Sequence, residues 1–203
     1  MFYIFGLGNP GHSYENSRHS VGRSFVFSFQ EKNNFSPWKE NKKKGFEIAE
    51  GLYEKEKVTL IVSNEFMNKS GNTAKKIIKN MSSAKNLIVI HDEIDLPFGT
   101  VKIVYNRGSG GHKGIQSVNR ALRTEEFFRI RVGISPATPK GKIRKPTDKE
   151  KMVDFVIGNF TPKEKEYLKK EIFNRIQEGV ERIIKGTISP EKKGMSLAYT
   201  IRR

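Results

Sequence analysis

The chain of 203 residues contains no cysteine. That absence excludes disulfides, thiolate metal sites and thiol nucleophiles together, and a cytoplasmic location is the simplest inference. No apolar run approaches the roughly 18 residues that a membrane span needs. The opening Met1-Phe2-Tyr3-Ile4 has no basic segment ahead of it, so it reads as a strand rather than a signal peptide. There is no G-x-S-x-G nucleophile elbow and no G-x-x-x-x-G-K-[ST] phosphate loop. No repeat and no linker divides the chain, whose length fits one domain spanning residues 1–203. Acidic residues are scarce beside basic ones, 22 against 38, for a formal charge of +16. A protein this basic commonly meets a polyanion, although a lysine-biased genome produces the same balance.

The stretch Tyr3 to Gly22 organises what is present. A short apolar run stops at glycines, a polar loop follows, and a helical pattern begins at about Ser17. Asn9 then lies at a strand's end and His19 at a helix's start, where open α/β sheets place their chemistry. Val21, Phe25 and Phe29 fall four apart on one helical face. Glu31 to Gly45 reads as a polar connection anchored by Trp38. Phe46–Ala49 and Val58–Val62 read as an antiparallel pair about a turn at Gly51–Lys57, so the expected fold class is α/β with a mixed twisted sheet flanked by helices.

Ala74, Ile77, Ile78 and Met81 predict one helix capped by Asn68 or Ser70. Asn86–Ile90 reads as a central strand ending at His91-Asp92-Glu93-Ile94-Asp95. Thr100–Tyr105 and Arg129–Ile134 are further strands, the latter with one polar face. Ile115, Val118 and Leu122 mark a short helix, and Ser135–Lys151 is a basic loop. Thr161-Pro162-Lys163-Glu164 is a capping box opening a helix with the buried stripe Leu168, Ile172, Ile176, Val180 and Ile183. The tail after Gly186 is basic and weakly patterned.

Three constellations could carry chemistry. Gly6-Leu7-Gly8-Asn9-Pro10-Gly11 matches G-x-G-x-x-G, but Pro10 and a polar stretch delay the helix that a dinucleotide site needs. Asn9, His19, Asn68 and Asp92 come from the ends of separate elements. An aspartate beside a histidine holds its tautomer, and with no cysteine and no serine elbow the set suggests a His-activated water. The alternative for His19 alone is a cap or packing role. His91, Asp92, Glu93 and Asp95 lack a standard ligand spacing, so no metal is expected. Gly108–Gly114 with Lys102, Arg107, His112, Lys113 and Arg131 suits a nucleic-acid phosphate.

With these residues in view, the chain resembles the bacterial-type peptidyl-tRNA hydrolase family. The resemblance is carried by Gly6–Gly11, Tyr14 with Arg18-His19, Phe66-Met67-Asn68-Lys69-Ser70-Gly71, His91–Pro97, Gly110-Gly111-His112, Arg129–Ile134 and Phe155-Val156-Ile157-Gly158. It implies a monomeric single-domain α/β fold that needs no cofactor or metal and hydrolyses the ester joining a peptide to the 3′ ribose of tRNA, recycling the tRNA. His19 would match the catalytic base and Asp92 its orienting partner. Asn9 and Asn68 would position peptide and water, and Tyr14 and Met67 would line the cleft. Arg131 would meet tRNA phosphate. His112 and Lys113 fall in the family's substrate-holding block, with Lys102 and Arg107 near the phosphate.

The chain departs from the family pattern at Lys113, where asparagine is usual, and at Val104, where a second basic residue is usual. Ser20, Ser63 and Glu65 are further departures. An RNA-binding protein of this fold without catalysis, and a dinucleotide-dependent enzyme, are the competing expectations.

Overall fold

The computed structural model describes residues 1–140, 142–190 and 197–201. Among the described residues eight strands form one sheet in the order β2-β3-β4-β1-β5-β7-β6-β8. Its centre is parallel: β4 (Glu56–Ser63), β1 (Phe2–Gly6), β5 (Leu87–Pro97) and β7 (Phe128–Ser135) run the same way. The margins are antiparallel. β3 (Phe46–Tyr53) pairs with β4 and β2 (Lys39–Asn41) with β3; β6 (Val101–Tyr105) pairs with β7 and β8 (Leu197–Ile201) with β6. This is the mixed α/β sheet expected from the sequence.

Strand alternation gives the sheet two buried faces. Ile4, Leu60 and Ile88 share one register row and belong to the core under α1 (Val21–Lys32) and α7 (Phe173–Ile184). Phe5, Ile61 and Val89 form the next row and face α2 (Ser70–Ile77) and α4 (Lys113–Leu122). Near-continuous apolar strands follow from this double burial.

Several boundaries differ from the sequence reading. The β3–β4 turn is only Glu54-Lys55, both at positive φ as a tight hairpin requires; Gly51 pairs with Val58 inside the ladder. The segment expected to be a plain connection contains β2, with Trp38 packed edge-on against Phe27 at 4.9 Å. The helix expected to run through Met81 stops at Ile77. Ile78 turns extended, and Asn80 caps a separate α3 (Met81–Lys85) by accepting the Ser83 N–H. Neither Asn68 nor Ser70 caps α2; the Ser70 hydroxyl donates to the Met67 carbonyl instead, at 2.8 Å. β5 does not end at Ile90, because pairing with β7 continues through Glu93 and resumes at Pro97 after an irregularity.

The polar face expected on β7 is not solvated at Arg129. That side chain is buried beneath the loop that follows β6 and donates to the carbonyls of Gly108, at 2.9 Å, and Arg107. The loop beginning at Ser135 carries an Ala137–Ile143 bridge and gives way to α5 (Lys149–Ile157), of which no residue is buried; residue 141 lies outside the described residues. The Thr161 capping box opens α6 (Pro162–Tyr167) as expected. A π turn at Leu168–Ile172 then joins α6 to α7. Leu168, Ile172, Ile176 and Val180 recur every four residues, which on a 3.6-residue helix drifts by about 40° per step. The wider π turn takes up part of that drift. In the basic tail, residues 191–196 and 202–203 lie outside the described residues.

Candidate active site

β1 ends at Gly6, whose partner on β5 is Ile90, while β5 continues with Asp92 beside Val132 of β7. Asp92 therefore stands in a notch past the end of β1. A 3-10 turn at Arg18–Ser20, leading into α1, brings His19 to it. Gly22 makes this approach possible, since a Cβ there would lie 2.1 Å from the Ile90 carbonyl oxygen. From the other face, the start of α4 brings His112.

The Asp92 carboxylate serves both histidines. His19 Nδ1 lies 2.9 and 3.0 Å from its two oxygens, and His112 Nε2 lies 3.0 Å from Oδ1. The tautomers follow from the remaining partners. His112 Nδ1 accepts the N–H groups of Gly114 and Ile115, at 3.2 and 3.3 Å, and so caps α4; its proton is on Nε2 and is donated to Asp92. His19 donates Nδ1–H, which leaves Nε2 as its lone pair.

Burial alone would raise the Asp92 carboxyl, but the charges and hydrogen bonds of His19 and His112 hold it well below the usual carboxylate range. For His19, burial disfavours the charged ring, Asp92 favours it by charge and by hydrogen bond, and Lys113 opposes it. The net pKa lies above the ordinary 6.5. His91 sits behind the pair, edge-on to His112 at 4.6 Å. Its Nδ1 donates to the Asp92 carbonyl at 2.6 Å and its buried Nε2 has no partner. Burial drives its pKa well below 6.5, so it is neutral.

His19, Asp92 and His112 place their polar atoms within 4.8 Å of one another, a spacing a metal could use. The chemistry of His112 argues against it. Its Nδ1 lone pair is engaged by two N–H groups, so Nε2 carries a proton where a metal needs a lone pair. The run His91 to Asp95 does not converge on one point either: Glu93 holds Arg131, and Asp95 holds Lys145.

Asn9 is buried and its Oδ1 accepts the Met67 N–H at 2.8 Å, leaving its amide NH2 as the group it can offer. Met67 is buried against the start of α4, where a Cβ on Gly114 would come within 2.4 Å of its sulfur. Asn68 is exposed beside it, in the 3-10 turn Met67–Lys69. Tyr14 is half-buried and meets the exposed ring of Phe66 edge-on at 6.2 Å. Lys113 is exposed at the first turn of α4. Lys102 and Arg131 are register partners on β6 and β7, and Arg131 donates to Glu93 through Nε at 2.8 Å and through a terminal nitrogen at 2.7 Å. Arg107 is exposed in the loop that covers Arg129.

The sequence put His112 in the basic glycine-rich loop and, by resemblance, among the substrate-holding residues, whereas the structure joins it to Asp92. Its one signal was its place just before a helical pattern. Arg18 was noted only as part of a motif. Its guanidinium bonds the Asn159 carbonyl at 2.6 Å and Glu164 at 3.1 Å, and lies over the rings of Phe155 and Phe160 at 4.8 and 5.2 Å. It thereby ties the His19 turn to α5 and α6.

The profile of the family described as Peptidyl-tRNA hydrolase matches residues 3–199. The chain belongs to the peptidyl-tRNA hydrolase family. A peptidyl-tRNA hydrolase from Bartonella quintana is 36% identical over 205 residues, covering 97% of this chain and all of the relative. One from Herpetosiphon aurantiacus is 36% identical, covering 89% of this chain and 83% of the relative. The crystal structure of peptidyl-tRNA hydrolase from Acinetobacter baumannii superposes with a TM-score of 0.79 at 26% identity, over 92% of this chain and 90% of that one. Membership in the peptidyl-tRNA hydrolase family thus extends over nearly the whole chain, including every element that supplies a residue to the notch.

Proposed function

We propose that His19, held by Asp92, activates water in this hydrolase. The reaction is that of the family: hydrolysis of the ester between the peptide, or an N-blocked amino acid, and the 3′ ribose of peptidyl-tRNA. The observation that carries the mechanism is the double anchoring of Asp92. It fixes Nδ1–H of His19 on the carboxylate, so that Nε2 can take the proton of a water attacking the ester carbonyl. Asp92 then stabilises the imidazolium without becoming protonated. The proton passes to the departing ribose oxygen as the tetrahedral intermediate collapses.

The Asn9 NH2 and the exposed amide of Asn68 suit the substrate's peptide carbonyls, with Tyr14 and Met67 as the wall. Lys102, Arg107 and Arg131 suit the RNA phosphates, and Lys113, exposed at the first turn of α4, suits either group. The reading takes the chain as a cytoplasmic monomer of one domain; among the described residues no helix is long and apolar enough to cross a membrane.

The test follows release of the blocked amino acid from N-acetyl-aminoacyl-tRNA with EDTA present. Wild type should turn over, and His19→Ala should lose at least about a thousandfold in rate while still binding tRNA. Asp92→Asn should lose a comparable factor, because an amide NH2 facing Nδ1 favours the wrong tautomer. Tight tRNA binding without turnover by wild type would establish RNA binding alone, and a near-normal Asp92→Asn would remove the orienting role.

A further inference from the structure

The strands that bear the site are laid side by side, so the carboxyl ends of the parallel strands and the amino end of antiparallel β6 order its residues along one edge. Going outward from Asp92 on β5 in one direction, β7 presents Arg131 and β6 presents Lys102. In the other direction come Asn9 after β1 and Phe66 to Asn68 after β4. Beyond them lies β3. It runs antiparallel to β4, and its first residue Phe46 pairs with Ser63, the last of β4. The segment before Phe46 therefore sits at the catalytic end of the sheet. That segment is Lys42-Lys43-Lys44, a 3-10 turn with all three lysines exposed.

The turn is held in place. The Asn41 side chain accepts the Lys44 N–H at 3.0 Å, Gly45 closes it at φ 71°, and Lys76 Nζ donates to the Lys44 carbonyl at 2.7 Å. Its charge is poorly matched. Glu65 is occupied by Asn72 and Lys76, and Glu40, which also accepts from Asn64, approaches Lys42 alone of the three lysines, at 3.9 Å. Lys43 and Lys44 have no acidic partner among the described residues. Three adjacent ammonium groups repel one another, so the turn is poised to gain from an anion.

We infer that the Lys42–Lys44 turn is a subsite for the peptide half of the substrate and favours a carboxylate side chain about four residues before the ester. This rests on the proposed reaction. With phosphate-type residues on the β7–β6 side of Asp92, the acyl half extends over Asn9 and Asn68 toward β3. Three strand spacings from β5 to β3 amount to about 14 Å, which an extended peptide covers in about four residues. An RNA strand bound on the β6 side would have to cross the notch to reach this turn.

The experiment compares N-blocked pentapeptidyl-tRNAs that differ only in Glu, Gln or Lys at the fourth residue from the ester, with N-acetyl-aminoacyl-tRNA as a substrate too short to reach the turn. Wild type and Lys43→Ser/Lys44→Ser are assayed at low salt, with melting temperatures confirming that both fold. Wild type should show kcat/KM about threefold to fivefold higher for Glu than for Gln, the scale of an exposed charge pair, and lower still for Lys. The double variant should level the three while cleaving the short substrate as wild type does. Equal rates by wild type on the three peptides would overturn the proposal. So would a uniform loss by the variant on every substrate, which would assign the turn to RNA. Failure of wild type on the short substrate would instead overturn the proposed reaction itself.

Discussion

Asp92 accepts hydrogen bonds from His19 on one side and His112 on the other, and only His19 has a nitrogen left over. His112 therefore acts as a fixed clamp: its ring is pinned at both nitrogens, and through Asp92 it limits how far His19 can turn. Because the His19 pKa lies above 6.5, kcat/KM should fall as pH drops through a value above 6.5, as the base becomes protonated. The Lys113 charge lowers that pKa, so Lys113→Asn should move the acid limb to higher pH; an unmoved limb in the pH–rate profile would remove Lys113 from the electrostatics of the base. His91 has the opposite sign. Its pKa is depressed in the folded state, so its contribution to stability is complete above 6.5 and is lost as pH falls below it. His91→Phe should shrink the drop in melting temperature between pH 7 and pH 5, and an unchanged drop would show that other groups carry it. Residue types made His19 and Asp92 legible in the sequence. The clamp was not legible, because His112 reads as one more basic group until the helix it caps is known.

At the scale of elements, the strand-loop-helix opening and the capping box could be read directly, since each depends on local chemistry. Thr161→Ala should destabilise the protein by about 1 kcal/mol, as loss of an N-cap does, seen as a fall of a few degrees in melting temperature. The Glu164 backbone N–H would lose the Thr161 hydroxyl, while the Glu164 carboxylate would keep the residue-161 N–H and Arg18, so a loss well beyond this would mean that the α6 start also holds the Arg18 contacts. The break between α2 and α3 and the π turn before α7 were hidden. Ile78 satisfies a helical pattern and a buried extended position equally well, and a four-residue stripe looks helical whether the backbone is α or widened. The length of β5 was hidden for another reason: His91, Asp92 and Glu93 look like a strand's end, but each is buried with a hydrogen-bonding partner.

For the whole molecule, the excess of basic charge gathers function only where geometry orders it. Arg129 lies two residues before Arg131 on the same strand yet is buried under the loop that follows β6, with its pKa pushed down to about 10 by burial. Arg131 is on the proposed RNA side, though already partnered by Glu93. Arg131→Ala should weaken tRNA binding and reduce the slope of log affinity against log salt by about one. An unchanged slope would mean that Glu93 neutralises it in the complex as well. The mixed sheet was legible because one hairpin pattern sufficed to exclude an all-parallel order. Strand order was not legible, since it is fixed by which faces bury against which helices.

The order along the sheet edge has a consequence for inheritance. Apart from Lys113, which suits either half, every residue assigned to the acyl half lies before Glu93 in the chain, and Lys102, Arg107 and Arg131 all lie after it. A recombination event near the middle of β5 would exchange one half's recognition and leave the other's intact. The two preferences of the enzyme can therefore drift separately, joined at Asp92.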